Sequence, residues 1–348
     1  MKNFLVVSLT GESLFLPQRL HAEGNGVILY VPKENHCPKD VSFQTSYNWR
    51  VPSTHADYVI FDSPGMGGVG SQLRKQGKPV FGGGKFTDLL AMDIDFSSKV
   101  ESFIKVKGYT GGNGQVILLE GWFDGDNFLT PFFLSFPKDR LMEGDRGPVT
   151  PGMGTTLTTL EGGKLVADTL LPLTSLLRSS KYIGVMGVTL IQKNDSVEFI
   201  SLRPSFSYDS LQAMGECLKD SWGDTFTGVF AKTLKRIKVY PNRFSIAVRF
   251  SIPPYPMQEV YPSSGSLKVL DGAEKHLWPA ASGVSGVLGC VTAWGESIRE
   301  ANRRIQRTIS NMTLSQDVQY RRDISEGIES SYNWLKVNNW LSGIQSES

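Results

Sequence analysis

Apolar residues along this chain come in runs of two kinds. Phe4–Ser8, Val27–Val31, Tyr58–Phe61 and Pro79–Phe81 are short β-branched or aromatic clusters, divided by polar stretches punctuated with Gly and Pro. Strands separated by crossover-length segments predict a parallel sheet with helices on its faces. From Phe86 the texture changes. Thr87–Ile94 places apolar residues at helical spacing behind a Thr cap candidate. Ile104–Gly114 reads as a strand running into a Gly-rich turn, and Gln115–Glu120 as its antiparallel mate. Such a hairpin suits a flap over a ligand with Lys107 beside it, although a solvated strand lysine is the commoner case. Phe128–Phe136, Tyr182–Ile191, Val197–Leu202, Phe244–Ile252 and Val287–Thr292 are further strands.

Near the end, Ser297-Ile-Arg-Glu300 forms a capping box, and Ile298, Ala301, Ile305, Ile309 and Met312 share one face of the helix it starts. Arg299, Arg303, Arg304 and Arg307 cover the other side, as an anion-binding face or, more commonly, a solvated one. The tail from Tyr332 carries Trp334, Leu335, Trp340 and Leu341. It predicts a short amphipathic helix that docks on its own chain or on a second subunit.

Three glycine-rich stretches interrupt these elements. Glu143–Thr155 holds four glycines and two prolines. Pro lacks a donor and Gly loses much chain entropy in regular structure. The stretch therefore predicts a sharply turned loop, not a ladder strand, with N–H groups open to a ligand; an ordinary surface loop is the alternative. Gly65, Gly67 and Gly70 match a dinucleotide fingerprint, but they follow a later strand than that fingerprint requires. A tight strand-to-helix turn is the simpler reading. Gly82-Gly83-Gly84-Lys85 is either a phosphate-approach loop or a joint.

At 348 residues, with 40% hydrophobic and 20% charged residues, the chain has length for two or three domains. A net charge of +2 argues against a dedicated nucleic-acid binder. Cys37, Cys217 and Cys290 are odd in number and far apart, which suits reduced thiols. The apolar run Phe4–Val7 is too short for a signal peptide, and no apolar stretch has the length of a membrane span. These features predict a soluble cytoplasmic protein, monomer or homodimer, with small-molecule partners and neither nucleic acid nor membrane.

Four stretches, in order, resemble the glycinamide ribonucleotide synthetases (phosphoribosylamine–glycine ligases) of the ATP-grasp ligases. Pro79-Val-Phe-Gly-Gly-Gly-Lys85 resembles P-V-F-G-P-S-K, and Glu120-Gly-Trp-Phe-Asp-Gly-Asp126 is similar to E-E-F-L-x-G-x-E. Gly144-Asp-Arg-Gly-Pro-Val-Thr-Pro-Gly-Met-Gly154 resembles G-D-x-G-P-N-T-G-G-M-G. Val287-Leu-Gly-Cys-Val-Thr-Ala-Trp-Gly295 and Gln319-Tyr-Arg-Arg-Asp-Ile324 are similar to V-L-x-V-T-A-x-G and Y-R-x-D-I. The resemblance covers about residues 1–328, weakly over the first 55.

It implies an α/β architecture in four parts. Residues 1–84 would be a Rossmann-like pre-ATP-grasp domain and 85–238 an ATP-grasp domain with a reduced lid. Residues 239–331 would be a small β-rich domain with a helix, and 332–348 an amphipathic tail. In that family ATP phosphorylates the carboxylate of glycine, and the amine of phosphoribosylamine attacks the acyl phosphate. Mg²⁺ and basic groups spread the phosphoryl charge. Carried over, Glu120 and the backbone of Gly121, Trp122 and Phe123 would hold adenine, Asp126 the ribose, and Lys107 the phosphates. Asp145, Gly147, Pro148, Thr150, Gly152 and Gly154 would shape the substrate loop with Arg140 beside it, Lys107, Arg140 and Asp145 serving catalysis. Glu198 would supply a Mg²⁺ ligand.

The departures are equally specific. Ser8–Ser13 replaces the G-S-G-G-R-E-H-A phosphate loop, and Val149 stands for the Asn of G-P-N-T. Glu198-Phe-Ile-Ser-Leu-Arg-Pro-Ser-Phe-Ser replaces E-F-N-x-R-F-G-D-P-E and lacks its Asn. Ile94 stands near the place of the family's first ATP-grasp lysine, and the chain between Phe96 and Glu120 is far shorter than the family's. Loss of one well-placed electrostatic group costs about 3–4 kcal/mol of barrier. Two readings follow: a streamlined ligase joining an amino-acid carboxylate to an amine, or a degenerate homologue that binds a nucleotide or a protein.

Overall fold

The protein is described by a computed structural model over residues 1–11, 14–38, 41–257, 267–269, 274–281 and 286–342. The chain opens as an alternation: β1 (Asn3–Val7), α1 (Phe15–Ala22), β2 (Gly26–Tyr30), β3 (Gln44–Ser46), α2 (Arg50–His55), β4 (Tyr58–Phe61), α3 (Gly67–Lys75) and β5 (Val80–Phe81). Its strands form a parallel sheet in the order β3-β2-β1-β4-β5. Central β1 is apolar throughout its interior because both faces are covered. Phe4 and Val6 pack into one core cluster, Leu5 and Val7 into another. β3 escaped prediction because Gln-Thr-Ser has no apolar alternation; as an edge strand it needs none.

After α4 (Lys85–Met92) and α5 (Ile94–Glu101) come β6 (Gln115–Phe123), β7 (Phe128–Met142), β8 (Arg146–Leu160), α6 (Lys164–Thr169), α7 (Thr174–Ser179), β9 (Gly184–Gln192) and β10 (Val197–Arg203). Then follow α8 (Tyr208–Cys217), α9 (Trp222–Phe230), β11 (Phe244–Ser251), β12 (Leu267–Val269), β13 (Leu277–Pro279), β14 (Val287–Gly295), α10 (Ile298–Ser310), β15 (Met312–Leu314) and α11 (Ile328–Val337). One antiparallel sheet runs β10-β9-β6-β7-β8-β11-β14-β13, and β12 pairs with β15. Two helices clamp its β8–β11–β14 part. On one face Leu211, Ala213 and Met214 of α8 join Ala247 and Cys290. On the other, Ala301, Ile305 and Ile309 of α10 join Ile246, Val248 and Val291. The α10 N-cap forms as the sequence predicts, Glu300 N–H donating to Ser297 Oγ at 3.2 Å.

Two local expectations are corrected. Most of Glu143–Thr155 is strand: β7 and β8 make a long hairpin that turns only at residues 143–145. The glycines and prolines of β8 fall in two register shifts of the ladder. While β7 advances from Lys138 to Arg140, β8 runs back from Gly154 to Val149. Bulged residues need no ladder partner, so Pro151 costs no hydrogen bond there. The second correction concerns the flap. Residues 104–109 do not pair with β6; Lys107 and Tyr109 instead exchange backbone hydrogen bonds with Phe199 of edge strand β10. The tail docks on its own chain: Leu335 is fully buried, and Leu165 N–H donates to Trp340 O at 2.8 Å. Residues 343–348 of the predicted tail lie outside the described residues, as do Glu12 and Ser13 of the phosphate-loop replacement. Among the described residues no helix is long and apolar enough to cross a membrane.

Candidate functional site

Glu120 sits in the middle of β6, 1% exposed, where one carboxyl oxygen accepts from Ser207 N–H at 3.2 Å. Burial pushes its carboxyl up from the ordinary 4.5 to about 7, with the Ser207 N–H and the charge of Arg203 pulling the other way. Ser207 is the N-cap of α8, so the carboxyl holds the start of that helix on the sheet. Gly121, Trp122 and Phe123 continue the ladder against Met186, Val185 and Gly184. The Trp122 ring is enclosed by Phe81, Phe206, Trp222 and Phe226 at centroid distances of 5.1, 5.6, 6.0 and 5.3 Å. Asp126, in the β6–β7 turn, is paired with Lys232, which holds its carboxyl below the ordinary value.

Glu198 lies two strands away on the same face. Ladder pairing places it beside Ile191 and Val116, roughly 13 Å along the strand direction from Glu120. Its carboxylate is already spent. It accepts from Thr110 N–H and Thr110 Oγ1, each at 2.9 Å, and pairs with Lys193 Nζ at 2.7 Å. The Lys193 hydrogen bond and then the Thr110 N–H hold the carboxyl down at about 2. Lys107 is close in the chain path, its carbonyl accepting from Phe199 N–H at 2.7 Å, but its side chain is exposed. A Mg²⁺ ion wants several oxygen ligands in near-octahedral array. Among the described residues no group of three or more His, Cys, Asp or Glu side chains could hold a metal. Glu198 is thus the one carboxylate expected to hold Mg²⁺, and Lys193 and Thr110 engage it.

The glycine-rich strand divides its residues between both faces. At the hairpin tip Asp145 (φ +54°) pairs with Lys138 at 3.0 Å and Arg321 at 2.9 Å. Burial works to raise its carboxyl, but the bonds and charges of Lys138 and Arg321 outweigh it and hold the group below the ordinary value. Arg321 is fully buried, bonds Asp323 at 2.6 Å and donates to Arg140 O at 2.9 Å. Arg140 in turn donates to Gly147 O at 3.0 Å, while Pro148 is exposed. Gly154 faces the same side, where a Cβ would fall 2.9 Å from Ile324. Gly152 turns the other way. A Cβ there would lie 2.5 Å from Asp209 of α8, whose carboxylate binds Arg249 at 2.9 Å in a buried pair. Thr150 Oγ1 steadies the bulge by accepting from Gly152 N–H at 3.1 Å.

The structure thus brings Glu120, Gly152 and Glu198 onto the α8 side, and Asp145, Arg140, Gly147 and Gly154 onto the α10 side. Sequence reasoning missed Lys138, Asp209, Arg249, Arg321 and Asp323. Arg321 and Asp323 stood inside a matched motif, whereas Asp209 and Arg249 belong to no motif and meet only through α8 packing. Beside the parallel sheet, the Gly65–Gly67 turn is closed by its own chain: Asp88 accepts from Gly65 N–H at 2.7 Å and Gly67 N–H at 2.6 Å. That carboxylate occupies the position an anionic ligand would take at the α3 start. The carbonyls of Gly82 and Gly83 bind Arg74, so this loop too is engaged internally.

No protein-family model and no curated protein matches the chain. Solved structures do. Phosphoribosylamine–glycine ligase from Thermotoga maritima superposes with a TM-score of 0.68 at 14% identity, over 92% of this chain and 99% of that one. N5-carboxyaminoimidazole ribonucleotide synthetase from the same organism gives 0.57 at 10%, over 91% and 100%. The multifunctional pyruvate carboxylase of Rhizobium etli gives 0.64 at 12%, over 96% of this chain but 35% of that one. At such identities the likeness concerns backbone architecture, and on that ground this chain has the ATP-grasp fold shared by phosphoribosylamine–glycine ligase and its carboxylase neighbours.

Proposed function

We propose that this chain is a catalytically degenerate ATP-grasp protein that keeps the fold as a binding module. The observation that carries the reading is the closure of Glu198 by Lys193 and Thr110. A metal-dependent ligase needs that carboxylate free, and recruiting it would break its charge-assisted bond to Lys193, a half-buried partner. The packed surroundings of Trp122 and the exposed Lys107 side chain support the same reading. Glu120 and Gly152, both touching the first turn of α8, favour a second reading, a streamlined ligase that joins glycine or a similar amino acid to an amine through ATP and Mg²⁺.

ADP release with glycine and phosphoribosylamine, with and without Mg²⁺, separates the two. The degenerate reading expects no Mg²⁺-dependent release above background. Turnover that needs Mg²⁺ and disappears in Glu198→Gln would restore the ligase. ATP-induced thermal stabilisation without turnover identifies the module as a nucleotide binder; its absence points to a protein partner.

A further inference from the structure

Ala301, Ile305 and Ile309 turn the apolar side of α10 into the core, which leaves Arg299, Arg303 and Arg307 exposed on the other side. The three recur every four residues and rise about 6 Å from one to the next, a gently winding row. Among the described residues their side chains make no hydrogen bond and no ion pair. Beside the row, four planar groups touch in series. Arg304 lies over the Trp294 ring at 4.3 Å, Arg243 over the same ring at 3.7 Å, and Arg243 also over Tyr240 at 3.8 Å. Tyr240, at the end of the series, is exposed. We propose that this surface binds single-stranded nucleic acid, with the arginine row on phosphates and the planar series extended by bases.

The local charge favours a polyanion. Of the carboxylates beside these groups, Glu300 is paired with Arg304 at 2.6 Å, and Glu216 accepts from Thr292 Oγ1 at 2.6 Å and meets His276 at 2.7 Å. Glu296 is exposed at the helix start, where its N–H donates to Glu300. On the opposite flank Arg322, whose carbonyl accepts from Gln306, adds a cation, and Glu143 there accepts the Arg322 N–H at 3.1 Å. The whole-chain charge of +2 averages the unpaired row away. Three features select nucleic acid among polyanions. Guanidinium forks match phosphate oxygens two at a time, and a row stepping by one helical turn can follow a strand's backbone. Rings and guanidinium planes stack on bases, whose faces are open in a single strand and covered in a duplex. An acidic peptide brings no such faces to Tyr240. An anionic membrane takes an apolar wedge along with charge, and the apolar side of α10 is buried against the sheet. The surface is also remote from Glu198: α10 packs on β11 and β14, near the opposite end of the sheet order from β10.

Fluorescence anisotropy of labelled single strands, one DNA and one RNA of the same sequence, tests the proposal on the full chain. At low salt at least one should bind, with affinity that falls steeply as salt rises. Replacing the row together, Arg299→Gln, Arg303→Gln and Arg307→Gln, should weaken binding about tenfold or more and flatten the log–log salt slope by about two, the share of three phosphate contacts. Tyr240→Leu should weaken binding about fivefold or more with the slope unchanged, because stacking releases no counter-ions. Unlabelled duplex, polyglutamate and phosphatidylserine vesicles should each compete far less well than unlabelled single strand. Glu198→Gln should bind as the parent does, which keeps this result independent of the Proposed function. Should the triple variant lose the parent's circular dichroism, Arg303→Gln alone gives the same reading through a slope change of about 0.7. No anisotropy change at low salt, a slope unaltered by the arginine variants, binding indifferent to Tyr240→Leu, or equal competition by duplex, polyglutamate or vesicles would each overturn the proposal.

Discussion

Glu120 and Ser207 meet across 87 residues of chain, the buried carboxyl accepting the N–H of the residue that starts α8. The bond ties the middle of β6 to the helix that packs on β8, β11 and β14. The carboxyl is largely protonated up to about pH 7, whereas in the unfolded chain it ionises near 4.5.

That difference sets a pH dependence. A folded-state value above the unfolded one means the folded protein binds the extra proton between those limits. Stability from this group is therefore full below pH 4.5 and declines as pH rises to about 7. The decline is on the order of 3 kcal/mol. Glu120→Gln, neutral and nearly isosteric, should flatten that part of the profile and be the more stable protein above pH 7. Urea denaturation across this range reads both effects.

Glu198 behaves in the opposite sense. Its folded value of about 2 lies below the ordinary 4.5, so its contribution is present above pH 4.5 and is lost as pH falls toward 2. In Lys193→Met the carboxyl should titrate closer to 4.5, as followed by ¹³C NMR of the side-chain carboxyl. Adding Mg²⁺ should move that resonance in neither protein, and a Mg²⁺-dependent shift would overturn the degenerate reading.

The buried pair of Asp209 with Arg249 predicts strong non-additivity. Asp209→Ala leaves the guanidinium buried without its carboxylate and should cost about 3–5 kcal/mol. The double variant Asp209→Ala, Arg249→Met should recover part of that loss, since the buried charge is removed with its carboxylate. Chemical denaturation of the four proteins of the cycle gives the coupling directly.

Leu335 anchors α11 with its side chain fully buried in the core cluster that also holds Leu165, Val166 and Leu170. Leu335→Ala should destabilise by about 2–5 kcal/mol, the range for emptying a packed leucine site. Limited proteolysis should then cut first within the last twenty or so residues, where the helix has lost its anchor.

What the sequence determined by itself is the set of elements whose signal is local. The apolar runs of β1, β2, β4 and β5, the Ser297 cap and the amphipathic face of α10 all depend on residues within one or two turns or strand repeats. The ordered motifs that resemble the ATP-grasp ligases carried the architecture as well, although their glycines answer to distant neighbours, Gly152 to Asp209 and Gly154 to Ile324.

Tertiary structure alone decided the rest. The stretch Glu143–Thr155 looked unable to join a ladder, yet partner strand β7 supplies enough long-range pairing to tolerate two register shifts and two prolines. Lys107 left the expected hairpin because the edge of β10 offered its carbonyl and Tyr109 N–H a pairing that β6, already paired with β7 and β9, did not. The fate of Glu198 was equally hidden. Whether a carboxylate binds a metal or a lysine depends on what folding places within about 3 Å of it, and neither Thr110 nor Lys193 advertises that approach in the sequence.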